Sequence, residues 1–156
     1  MTQGPVELEV GVSYAIPRTG LPAAVSFRRW VAAALEGRIL RADLAVRLVG
    51  EREGRALNLH YRGQNHATNV LSFPAELPHG VTLPLLGDIV LCAPVIAREA
   101  RTQGKQLNAH YAHLTVHGVL HLLGFDHGKR RDAAAMEQLE RQILAGLDLP
   151  DPYIEN

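Results

Sequence analysis

The sequence predicts an α+β fold in which one small sheet is packed with helices, and three observations lead there. Strand-like and helix-like segments alternate through the first two thirds of the chain. Only helical periodicity follows. A chain of 156 residues with 47% hydrophobic content is long enough to bury one core, and no repeat, low-complexity tract or linker divides it, so residues 1–156 read as a single domain.

Val6 to Tyr14 alternates apolar and polar residues, which predicts a half-buried first strand ending before Pro17. After Pro22, the spacing of Val25, Phe27, Trp30, Val31, Ala34 and Leu35 predicts a helix that stops at Gly37. Leu44, Val46, Leu48 and Val49 predict a second strand, followed by Gly50 to Gly54 and a short helical segment reaching Tyr61 and ended by Arg62 and Gly63. Thr68 to Pro74 has the β-branched and aromatic content of a third strand, and Leu86 to Cys92 supplies a fourth. Pro94 opens a helix to about Gly104. The longest periodic segment, Leu107 to Leu123, predicts a largely buried helix ended by Gly124. A last helix is expected from Lys129 to about Leu144, with Met136 in its apolar stripe, and the tail from Asp148 is irregular.

Composition excludes several classes of function. The 16 basic residues balance the 16 acidic ones, so no global positive field draws the chain to nucleic acid, and any such contact must be local. Cys92 is the only cysteine, which excludes an internal disulfide and a cysteine-built zinc site and fits a reducing, cytoplasmic setting. Histidine must supply any metal ligands. No basic stretch followed by an apolar run opens the chain, and Pro84, Gly87, Asp88 and Pro94 interrupt its most apolar region, so neither secretion nor membrane insertion is expected.

His117 and His121 stand four apart on the long helix, hence on nearly one face, about 6 Å apart along the axis. Gly124 can take the positive φ that turns the chain, which lets His127 fold back toward the same point. Three neutral imidazoles leave a divalent ion its full charge and an open position, as in catalytic zinc. The same ligand spacing occurs in the metzincin proteases, but Gly118 stands where those enzymes carry a general-base glutamate. His113 lies eight residues from His121, about 12 Å along the axis, too far for both to reach one ion. A site on His113 and His117 has no third ligand in reach on this reading, which leaves His113 to support a ligand or to pack. His60, His66 and His79 read as surface residues.

The run His117-Gly118-Val119-Leu120-His121-Leu122-Leu123-Gly124-Phe125-Asp126-His127 resembles the signature of the YbeY-type endoribonucleases, also described as ribosomal RNA maturation factors. Leu57-Asn58, Tyr61-Arg62, Thr68 to Pro74 and Leu86-Gly87-Asp88-Ile89 extend the resemblance over residues 44 to 144. The resemblance implies an α+β fold with a four-stranded mixed sheet and a zincin-like metal helix beneath it. It also implies one Zn2+ ion on His117, His121 and His127, with Arg62 as the functional arginine near it. The implied activity is single-strand-specific cleavage of ribosomal RNA on the small ribosomal subunit, in maturation of the 16S 3′ end and ribosome quality control. Neither DNA nor a membrane is an expected partner.

Two departures stand out: Asn69 where the family usually has Asp, and Phe125 for the common Tyr. Two other readings stay open. One is a metalloprotease-like hydrolase, which lacks its base. The other is a noncatalytic ribosome assembly factor with structural zinc. The general base is unassigned, with zinc hydroxide and the ribose 2′-hydroxyl as candidates. Lys129, Arg130 and Arg131 could meet an RNA backbone or form a solvated first turn. No aromatic stacking platform is evident from the sequence.

Overall fold

The computed structural model describes residues 7–81, 84–125 and 130–154. Its elements in chain order are β1 (Glu7–Tyr14), α1 (Ala24–Leu35), β2 (Arg41–Val49), α2 (Glu51–Arg62), β3 (Val70–Pro74), β4 (Leu85–Cys92), α3 (Ala93–Gln103), α4 (Leu107–Leu122) and α5 (Arg130–Gly146). The strands form one sheet in the order β1-β2-β4-β3. β1, β2 and β4 run parallel, while β3 pairs antiparallel with β4 at the edge. This is the expected α+β fold with a four-stranded mixed sheet.

The two faces of the sheet differ because the strands alternate. On β2, Ala42, Leu44, Val46 and Leu48 join Ile89 and Leu91 of β4 in the main core, against α1, α4 and α5. Phe27 sits at its centre, fully buried, with edge-to-face contacts to Trp30 at 5.3 Å and Tyr111 at 6.0 Å between ring centroids. Most of α4 is buried, since the helix contacts α1, α3, α5, β3 and β4 at once. The opposite face carries a smaller cluster of Val49, Leu71, Val90 and Cys92, with Leu57 of α2 packed on it.

One irregularity resets the alternation in β4. Asp43 pairs with Leu85 and Leu44 with Gly87, so Leu86 is an extra residue, a β-bulge. Leu86 and Ile89, three residues apart, therefore both pack toward the main core. Gly87 has φ 145°, and a Cβ there would stand 2.3 Å from the Phe73 carbonyl oxygen, so only glycine fits. The long helix ends as its sequence predicts. Gly124 takes φ 100°, its N–H donates to the His121 carbonyl, and the Phe125 N–H donates to that of Leu120.

Candidate metal centre and its cleft

The last two turns of α4 put His117 and His121 side by side, with their Nε2 atoms 3.0 Å apart and ring centroids 4.5 Å apart. Two imidazole nitrogens bound to one tetrahedral ion at about 2.05 Å would stand about 3.3 Å apart, so the pair suits a shared ion. Behind it lies Glu140 of α5, a carboxylate with no exposed surface. His117 Nδ1 donates to Glu140 Oε1 at 2.7 Å, and His113 Nε2 lies 2.8 Å from Glu140 Oε2, to which the Tyr153 hydroxyl also donates. Burial by itself would raise the Glu140 pKa, but the hydrogen bonds from His113, His117 and Tyr153 hold it well below the usual carboxylate range. An ionised carboxylate can only accept, so it fixes the proton of neutral His117 on Nδ1 and directs the Nε2 lone pair toward His121. Burial, with Glu140 beside it, pushes the Tyr153 phenol far above its ordinary value, which keeps its proton available for that bond.

His113, His117 and Glu140 bring donor atoms within 4.8 Å of one another and could themselves hold one ion. The expectation that no third ligand lies within reach of His113 and His117 is thus corrected. Glu140 lies 23 residues beyond His117, a separation no local spacing rule bridges. His127 and Asp126 lie outside the described residues, as do Lys129 and the side chains of Arg130 and Arg131.

Arg62 faces the histidines across an open cleft of about 300 Å³, lined also by Val70, Leu71, Ser72, Pro74, His117 and His121. It occupies the last turn of α2, just before Gly63 at φ 71°. Its Nη2 donates to the Ser72 carbonyl at 2.9 Å, and its guanidinium lies 5.4 Å from the centre of the Phe73 ring. The side chain is exposed and keeps further donors for an anion. From the other side, Ser72 Oγ donates to the Gly118 carbonyl at 3.2 Å, tying β3 to the histidine helix. Gly118 faces the sheet: a Cβ there would lie 3.1 Å from Ile89 Cγ2 and 3.2 Å from Ser72 Oγ. A side chain at this position would crowd Ile89 and Ser72.

Asn69 has an explanation of its own. Its amide nitrogen donates to both oxygens of Glu99, at 3.0 and 3.2 Å, and His110 Nε2 lies 2.9 Å from Glu99 Oε1. An aspartate at position 69 would set two carboxylates against each other. Burial lowers the His110 pKa, with the Glu99 hydrogen bond opposing it. Met136 is fully buried in the main core, as its helical stripe predicts, and Phe125 packs against that core. His60, His66 and His79 are exposed.

Paired imidazoles in an open cleft with a cation opposite suit metal-assisted hydrolysis of an anionic ester, on an α+β scaffold built around one helix. The model of the family described as Endoribonuclease YbeY matches residues 23–148. Relatives named Endoribonuclease YbeY from Stenotrophomonas maltophilia strain K279a and Xanthomonas campestris pv. campestris strain B100 are each 71% identical over 157 aligned positions, covering 98% of both chains. The chain belongs to the endoribonuclease YbeY family, whose members are hydrolytic nucleases. A Thermotoga maritima protein solved in solution shares the fold, with a TM-score of 0.59 and 21% identity over 93% of this chain and 99% of its own. Among the described residues no helix is long and apolar enough to cross a membrane.

Proposed function

We propose that residues 1–156 act as one domain, a zinc-dependent endoribonuclease that cuts single-stranded RNA, with ribosomal RNA of the small subunit and its 16S 3′ end as the target, in the cytoplasm. One observation carries the reading. The Nε2 atoms of His117 and His121 stand 3.0 Å apart in the cleft that Arg62 lines, with Glu140 fixing the tautomer of His117. Nitrogen donors favour zinc over magnesium or calcium, which prefer oxygen. His117 and His121 are two ligands, and His127, three residues past Gly124, is the third by the family's ligand spacing.

Once bound, such an ion supplies Lewis acidity and a water that ionises near neutral pH. The residues of the chain do the rest. Glu140 keeps the His117 proton on Nδ1, and so holds Nε2 as a lone-pair donor through turnover. Arg62, held by the Ser72 carbonyl, offers forked donors to the non-bridging oxygens of a phosphodiester, whose charge grows in the transition state. Gly118 carries no carboxylate where a peptidase would need its general base, which favours nuclease over protease chemistry. The triad of His113, His117 and Glu140 reads as support for the site rather than as its ligand set, because hydrogen bonds already join all three groups.

The test uses purified wild-type, His121→Ala and Arg62→Ala proteins of measured metal content, on a structured ribosomal RNA fragment with a single-stranded end. Cleavage by wild type alone, with zinc retained in Arg62→Ala, is the expected result. Equal cleavage by all three would reveal a contaminating nuclease, and peptide but not RNA cleavage would overturn the reading.

A further inference from the structure

Arg62 and Pro74 line a second depression as well as the cleft, so the two adjoin at these residues. This one measures about 670 Å³ and lies on the sheet face opposite the main core, where α2 stops short. Its floor is a register row: Ala45 of β2 pairs with Asp88 of β4, which pairs with Phe73 of β3. The bulge at Leu86 helps place Asp88 on this face, where its carboxylate is exposed. Above the row stands Tyr61, which is 56% exposed although it is a large aromatic residue. Its ring meets Phe73 edge-on at 5.0 Å and His60 at 4.5 Å between centroids, so its position is set by packing.

The charge pattern argues against a phosphate track. Arg47 is paired bidentately with Glu53, at 2.9 and 3.1 Å, and Asp88 and Glu76 add negative charge. Arg62, at the junction with the cleft, is the cation placed for a phosphate. A single strand whose scissile phosphate sits by Arg62 would therefore present a base, not a phosphate, to the depression. We propose that Tyr61, Phe73 and Asp88 form a nucleobase subsite for the nucleotide flanking the cleaved bond. The base stacks on the exposed Tyr61 ring at the edge of Phe73. Asp88, an acceptor only, takes a hydrogen bond from a base N–H, either an exocyclic amino group or the N3–H of uracil. This inference rests on the nuclease reading.

The test measures binding and cleavage separately. Metal-free protein is titrated into short single-stranded RNAs carrying the fluorescent base 2-aminopurine beside the cleavage position, and metal-loaded protein is assayed on the same sequences with adenine, cytosine, uracil or an abasic residue there. Wild type should quench the probe on binding. Tyr61→Ala should lose the quench and raise KM about tenfold or more, with kcat less affected and Tyr61→Phe close to wild type. Asp88→Asn should keep the quench and change the order of preference among adenine, cytosine and uracil, because the amide can also donate to a base acceptor. If metal-loaded wild type cleaves RNA but binds abasic and base-bearing strands equally, or if Tyr61→Ala behaves as wild type, the subsite is wrong and the nuclease reading stands. If wild type neither binds nor cleaves these strands, both fall.

Discussion

At Glu140 a single carboxylate decides how the site is wired. Its two oxygens accept from His113, His117 and Tyr153, and its charge survives burial only because those donors surround it. Glu140→Gln should weaken zinc binding about 10- to 100-fold, read by competition with a chromophoric chelator, because the amide can no longer hold the His117 proton in the same way. Unchanged affinity would mean that the carboxylate only packs. Asn69 makes the reverse point: its amide suits Glu99, and a second carboxylate would not. Asn69→Asp should destabilise the protein by about 1–3 kcal/mol at pH 7 in urea unfolding. The repulsion raises a carboxylate pKa in the folded state, so stability is lost as pH rises through the carboxylate range and regained toward pH 4. For His110 the sign is opposite. Burial lowers its pKa, so the unfolded chain takes up the proton first, and stability should fall as pH drops below about 6.5. His110→Gln should flatten that slope between pH 7 and 5.

On the scale of elements, α4 serves both as core and as the frame that holds the paired histidines, on different faces. The face bearing Gly118 lies against Ile89 and Ser72, which would have to shift to admit a side chain there. Gly118→Glu should therefore cost at least about 1–3 kcal/mol through overpacking and confer no peptidase activity, measured by thermal unfolding and a casein assay. On the other face the proposed ligands His117 and His121 stand beside His113, the proposed support. His121→Ala should abolish stoichiometric zinc, whereas His113→Ala should retain it with lowered affinity. Loss of metal in His113→Ala alone would move the ion to the group formed by His113, His117 and Glu140. At the bulge in β4, Gly87→Ala would drive a methyl group into the Phe73 carbonyl, so refolding yield and midpoint should both fall.

Across the whole molecule, the cleft and the groups behind it come from parts distant in sequence: Arg62 from α2, Ser72 from β3 and the histidines from α4 line it, while Glu140 from α5 and Tyr153 from the C-terminal segment stand behind the histidines. That segment is fastened beside the site, since Lys105 donates to the Pro152 carbonyl at 2.9 Å and Arg141 pairs with Asp151 at 3.2 Å. Removal of zinc by a chelator should abolish RNA cleavage, with recovery on adding zinc back. The fold should outlast the metal, because its core rests on Phe27, Trp30, Tyr111 and the apolar strands rather than on the ion. Coincident loss of near-ultraviolet dichroism with the metal would overturn that separation.

Local chemistry made most of the fold legible in the sequence. The period of two in β2, the helical stripe from Phe27 to Leu35 and the glycines after the helices each encode their element within a few residues. The same locality made His117 and His121 visible, because one helical turn places them together whatever surrounds the helix. Met136 was assignable to the core from its stripe alone. Tertiary structure decided what depends on distant chain segments. Glu140 behind His117, Asn69 against Glu99, and Arg62 opposite the histidines meet only after folding, across 23, 30 and more than 50 residues. The aromatic pair of Tyr61 and Phe73, which the sequence did not disclose, meets for the same reason. Periodicity encodes which face of an element is buried, whereas packing between elements determines which buried or exposed groups come within hydrogen-bonding distance.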